Sequence, residues 1–257
     1  MSFGRTYAYA CAGYATHGLL DACTSYGTQL LWPFSDLRVA WSNVAVVDPL
    51  VTVPLLVLLV LGVVWRTPVL ARLGLVWVVA YLWIGVAQRE RAEAFGEDLA
   101  ADRGHLDVEL VAKPSFANLL VWKTLYEHEG RYWVDAVRLG ATARSFPGES
   151  IPALDLERDL PWLRPGSQQA RDVERFRWFS DGFLAVDPSR PERVIDVRYS
   201  MVPNRIQALW GLELDTNATS EAHAKFFSER DSSPEARSEF AVMLWPDDAA
   251  DDAALSR

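Results

Sequence analysis

Residues 49–65, PLVTVPLLVLLVLGVVW, run for seventeen positions without a charged side chain, and extending back to Val44 adds only Asp48. At a rise of about 1.5 Å per residue, such a helix nearly crosses a hydrocarbon core of about 30 Å. A buried hairpin in a water-soluble core is the other use for such a run, but its length and lack of charge favour a membrane span. A second stretch, Leu73–Gln88, has sixteen uncharged residues and reaches a full span when Pro68–Arg72 joins it, with Arg72 snorkelling to the interface. The linker WRTPVLAR carries the proline and arginines of a tight turn between antiparallel spans. Trp32, Trp41 and Trp65 flank the first span as interfacial aromatics do. Two transmembrane helices, about 44–65 and 69–88, are therefore expected within a membrane region 1–88. Arg66 and Arg72 lie on the linker side, against Arg38, Arg89 and Arg91 on the other, a difference of one charge that leaves orientation open. The first twenty residues lack the basic start and clean apolar core of a signal peptide.

Charge divides the chain at the same place. Residues 1–88 hold four basic and three acidic side chains, a balance of +1, whereas the remainder holds 21 basic and 31 acidic, a balance of −10 within the net charge of −9. That asymmetry excludes a uniform soluble globule, a disordered chain and a basic nucleic-acid binder. Cys11 and Cys23 stand in no CxxC spacing and are expected to be buried small hydrophobes.

Beyond Gln88, RERAEAFGEDLAADRGH is charged and helix-prone, and predicts a connecting helix over 89–105. From Leu106 the pattern turns to period 2. Two strands are expected around the turn Glu127–Gly130, with further strands over Phe183–Val186, Arg193–Tyr199 and Gln207–Leu214. RPGSQQARDVERFRWF predicts a break and then a helix of about ten residues. The fold class expected is a membrane α-helical hairpin region followed by a soluble α+β domain, 106–245, with a mainly antiparallel sheet. The acidic, Ala-rich tail 246–257 is expected to be disordered.

The segment Thr16–Asp48 carries the candidate chemistry. His17 and Asp21 are four apart, so a helix places them on one face, where an imidazole and a carboxylate can share a divalent metal such as zinc, manganese or iron. A direct ion pair between them is the plainer use of the same spacing. Asp48 is a third candidate ligand, although Asp48-Pro49 also has the form of a helix start, with Asp48 as N-cap and Pro49 at the first helical position. Asp36, in the PFSD turn, has a local role in satisfying backbone N–H groups. His105, His128 and His223 read as exposed surface histidines. Asn217-Ala-Thr has the form of a glycosylation acceptor, a short pattern that carries no weight by itself. No Gly-rich phosphate loop, GxSxG elbow or HExxH string is present.

The strings His17-Gly-Leu-Leu-Asp21, Thr24-Ser-Tyr-Gly-Thr-Gln-Leu-Leu-Trp-Pro-Phe-Ser-Asp36 and Val47-Asp48-Pro49 resemble those of the bacterial membrane-bound metal-dependent hydrolase family of YdjM-like proteins. The resemblance extends to Tyr132-Trp-Val-Asp-Ala-Val-Arg, Arg177-Trp-Phe-Ser-Asp-Gly and Asp196-Val-Arg-Tyr-Ser-Met-Val-Pro-Asn. It implies an integral, multi-pass inner-membrane protein with a metal site among its helices and a substrate left undefined. The family's Pro-Asp-x-Asp and His-Arg-Gly-x-Thr-His-Ser strings have no counterpart here: no Asp precedes Asp21, and His17 is the first histidine. The chain is thus expected to start midway through the family's membrane domain, as a truncated product, a misplaced start or a divergent member.

Two functions follow as expectations. One is a membrane-bound metal-dependent hydrolase, with His17, Asp21 and Asp48 around a zinc-like ion whose water attacks an ester or phosphoester. The other is a membrane-anchored binding or scaffold protein whose sheet recognises a partner. The lipid bilayer is the expected partner of both, and nucleic acid of neither.

Overall fold

The computed structural model describes residues 2–245, so the expected tail 246–257 lies outside the described residues. Three helices come first: α1 (Phe3–Ala22), α2 (Pro49–Val64) and α3 (Pro68–Asp102). Then follow β1 (Leu110–Pro114), β2 (Val121–His128), β3 (Arg131–Leu139), β4 (Ala143–Phe146), β5 (Ser150–Pro152), α4 (Leu156–Asp159) and α5 (Gln168–Phe179). The chain closes with β6 (Leu184–Asp187), β7 (Arg190–Asp196), β8 (Trp210–Glu213), β9 (Lys225–Ser228) and α6 (Pro234–Leu244). This is the expected class: N-terminal helices, one of them long and apolar, then an α+β region with antiparallel sheets.

One sheet has the order β1-β2-β3-β4, with β5 added antiparallel on β3 through Tyr132 and Ile151. The other runs β6-β7-β8-β9, antiparallel at every pair, with Val194 opposite Leu212 and Gly211 opposite Phe227. Gly211 is required at its position. A Cβ there would lie 2.3 Å from Val194 O and 2.8 Å from the Phe227 ring.

The chain divides into two compact units. The first comprises Met1–Ala94, Ala112–Trp122 and Leu139–Ala141. Asp48 caps α2 by accepting from Leu50 N at 3.0 Å, with Pro49 pre-setting the first turn. α2 then runs antiparallel to α3. Trp77 Nε1 donates to Leu50 O at 3.1 Å, Gly74 sits against Leu55, and Gly62 against Leu70. At Gly85 the close approach is to the chain before α2, where a Cβ would lie 2.2 Å from Asn43 O. Just beyond, buried Gln88 donates to the carbonyls of Leu119 and Leu139 at 2.9 and 3.0 Å.

The second unit comprises Phe95–Val111, Lys123–Arg138 and Thr142–Arg257. One of its cores packs Leu125, Tyr132, Val134 and Ile151 with Ala185, Ile195 and Val197. Another packs Leu160, after α4, and Val173 and Phe176 of α5 against Leu184, Val194 and Leu212. Ser167 caps α5 by accepting from Ala170 N, which places the helix start where RPGSQQ predicts it.

Three expectations change. Residues 89–105 do not form a separate connecting helix: α3 runs unbroken from Pro68 to Asp102. Glu, Ala and Arg after Gln88 are good helix formers and no proline interrupts them. The helix stops at Gly104, in the left-handed region with φ +84°, where Gly104 N donates to Ala101 O and His105 N to Ala100 O. Cys11 is exposed while Cys23 is buried, because α1 buries only Ala22. Finally, among the described residues α3 is the one helix long and apolar enough to cross a membrane; α2, at sixteen residues, is shorter.

Candidate functional site

α1 carries His17 and Asp21 as their spacing requires, with His17 Nε2 at 3.4 Å from Asp21 Oδ2 and side chains 73 % and 51 % exposed. An ion pair this open to its surroundings contributes little to stability. Its chemical content is one imidazole nitrogen and one carboxylate on the same face, presented outward.

Asp48 sits elsewhere in the same unit and is only 4 % exposed. Its Oδ1 accepts from Leu50 N and its Oδ2 accepts from Tyr81 OH at 2.7 Å, so both oxygens are engaged. Burying a carboxylate in an apolar helical pair costs several kcal/mol unless it is hydrogen-bonded, and these two donors meet that need. Asp48 therefore fastens α2 to α3. In the neighbouring PFSD turn, Ser35 Oγ accepts from Leu37 N, the kind of local bond expected of Asp36.

A catalytic zinc site takes three protein ligands and an open position. Among the described residues no group of three His, Cys, Asp or Glu side chains is placed to hold a metal ion. The donors present, His17 and Asp21, fall one short, and Asp48 is not gathered to them. The set does not make a complete hydrolytic centre, and no hydrolytic step is assigned to it.

The second unit holds polar groups whose roles were not legible in sequence. Arg103 makes a two-pronged pair with Asp135 at 2.6 and 2.7 Å, and Asp135 also accepts from Gly148 N. Arg198, fully buried, donates to Asp196 through Nε at 2.9 Å and Nη2 at 2.8 Å, and to Asp181. Trp210 Nε1 completes the shell of Asp196 at 3.3 Å. Lys123 Nζ donates to Ser200 Oγ and to Arg205 O, both at 3.0 Å. Asp135, Asp196, Arg198 and Ser200 all fall within the strings that carried the resemblance. Their spacing gave no hint of partners, which lie up to 77 positions away in the chain.

His105 and His128 also depart from expectation. They are half-buried, their rings stacked with centroids 4.0 Å apart, and His105 Nδ1 lies 2.9 Å from Tyr126 OH. The turn after α3 and the end of β2 bring them together, a meeting that no local pattern announces. Burial of the ring, then the His128 ring and the Arg103 guanidinium, hold the His105 pKa below its ordinary value. His223 stays exposed as expected, 2.9 Å from Asp172. Burial pushes the Tyr132 phenol up to about 12.

A long apolar helix and a partner helix with no buried residue give the first unit the make-up of a membrane-associated one. Residues 2–92 match the YdjM inner membrane protein family, the family that the strings of residues 16–49 resemble. No curated relative and no solved structure matches the chain.

Proposed function

We propose that this chain is a multi-pass inner-membrane protein whose α2–α3 hairpin crosses the bilayer and whose His17 and Asp21 are two donors of a divalent-metal site. The reading is that of a YdjM-like, metal-dependent hydrolase, zinc being the ion its donors suit. The observation that carries it is the His17–Asp21 pair itself. His17 and Asp21 face one another across 3.4 Å on an exposed face of α1, an imidazole and a carboxylate of the kinds a divalent metal takes. The antiparallel pairing of Leu50 with Trp77 and Leu55 with Gly74 supports two crossings. Hydrolysis of an ester or phosphoester requires a third donor besides these two, and Asp48 would have to give up Leu50 N or Tyr81 OH to serve.

The test is metal content. The full chain, purified in detergent and dialysed against zinc, is expected to retain metal, and His17→Ala and Asp21→Asn to lose most of it. Retention equal to the parent in both variants overturns the reading. A second reading is a membrane-anchored binding or scaffold protein whose sheet recognises a partner. It predicts no metal in the parent.

A further inference from the structure

Between α1 and α2 the chain leaves large apolar side chains uncovered at one turn. Leu31, Trp32, Phe34 and Leu37 are all exposed, Phe34 to 94 %. The turn is nevertheless well fastened. Thr28 and Val39 exchange both backbone hydrogen bonds at 2.9 Å, closing a neck. Inside it, Trp32 N donates to Gln29 O, Phe34 N and Ser35 N donate to Leu31 O, and Leu37 N donates to Ser35 Oγ. Below the neck, Trp41 N donates to Ala22 O and Asn43 N to Cys23 O. Arg89 of α3 donates to Trp41 O at 2.7 Å and to Asn43 Oδ1 at 3.2 Å.

These bonds decide what can cover the tip. Irregular chain cannot leave water while its N–H and C=O groups are unpaired, because each costs several kcal/mol in hydrocarbon. Here three of the tip's N–H groups are bonded within the turn and a fourth to the Ser35 hydroxyl. Aromatic and aliphatic side chains on such a frame lose nothing by entering an apolar layer.

We propose that Leu31–Leu37 inserts into the headgroup–acyl boundary of the bilayer that holds α3, with Arg38 in the layer of lipid phosphates. The proposal rests on the membrane reading of α2 and α3 and not on the metal reading of His17 and Asp21. Continuity carries it first. Arg89 ties the neck to α3 one residue after its uncharged stretch ends at Gln88, so the turn belongs to the level at which α3 leaves the hydrocarbon. Charge carries it second. Arg38 directly follows the tip and, even with its guanidinium on Tyr26 O, places there a positive charge that suits an anionic lipid surface, whereas Arg89 is already paired with Glu93. Asp36, exposed beside the tip, sets the depth: its carboxylate keeps the turn in the hydrated boundary and out of the bilayer centre. Trp32 and Phe34 are side chains that such a boundary selects.

The experiment places an environment-sensitive fluorophore on Phe34→Cys in full-length chain carrying Cys11→Ser. The protein is reconstituted in vesicles of phosphatidylcholine and phosphatidylglycerol. Thr216→Cys serves as the water-exposed reference and Leu75→Cys, on α3, as the membrane reference. At position 34 the expected result is blue-shifted emission, quenched several-fold more by lipid nitroxides near the headgroup than by those at the chain end. Iodide in the buffer should quench it several-fold less than the probe at 216. Iodide quenching equal to that at 216, with position 75 still in lipid, overturns the proposal alone. Protection from both quenchers overturns it too, because protein, such as a second copy, then covers the tip. Water-like emission at 75 overturns the membrane reading along with it.

Discussion

α2 and β2 treat their surroundings in opposite ways. α2 has one polar side chain, Thr52, in sixteen residues and buries none of them. β2, VWKTLYEH, has five polar or charged residues in eight and buries its first six positions, Lys123 and Thr124 included. In water this is inverted: the helix should hide and the strand's lysine should not. The difference is understandable when the two units face different solvents. On the membrane reading proposed above, the outside of α2 is itself apolar, so burial inside the protein brings no gain. For β2 water drives the core together, and the polar groups carried inward are matched by hydrogen bonds such as Lys123 to Ser200 and Arg205.

The largest expected effect lies in the water-facing unit. Arg198→Ala leaves Asp196 buried without its main partner, and removing one member of a buried pair costs about 3–5 kcal/mol. Thermal unfolding, followed by tryptophan emission of the full chain in detergent, should show a large drop in the midpoint. A change of only a degree or two would mean that the pair is not the strut described.

The next effect strikes the comparison from the other side. Val60, mid-helix in α2, is exposed. Val60→Asp should cost about 2.5–3.5 kcal/mol of membrane insertion if α2 lies in the bilayer, but less than about 0.5 kcal/mol if that face meets water. Comparing the inserted fraction of the two chains in a translocation assay decides it. Equal insertion would remove the lipid-facing account of α2 and, with it, the contrast with β2.

Local signals carried the elements whose causes are local. Asp48-Pro49 reads as a helix start and is one, because a cap needs only a carboxylate two residues from a free N–H. The turn at Glu129–Gly130, both at positive φ, reads as a hairpin for the same reason. His17 and Asp21 were legible as a pair because helical period alone brings them together. What sequence could not supply were contacts closed by the fold: Asp48 with Tyr81, 33 positions on, or His105 with His128. The break expected after Gln88 is absent, since α3 continues through the change from apolar to charged composition. Helix propensity is indifferent to that change of solvent; only the side chains respond to it.

The smallest effect expected is a pH dependence confined to the water-facing unit. His105 is faced by the His128 ring, Tyr126 OH, the Trp133 ring and Arg103, with Glu129 acting in the opposite sense. Desolvation first, then His128 and Arg103, depress its pKa in the folded state. Between that depressed value and the unfolded value of about 6.5, the unfolded chain binds more protons than the folded one. Stability from this group is therefore complete above about pH 6.5 and is lost as pH falls through the folded pKa. His128→Gln removes the second cause and should flatten the fall of the unfolding midpoint from about pH 7 to about pH 5. Because His105 is close to solvent, the change should be a fraction of that caused by Arg198→Ala. His17→Gln, in the other unit, should leave that slope as it is. Should His17→Gln flatten it and His128→Gln not, the acid sensitivity would belong to the membrane unit, and the stacked pair would have no part in it.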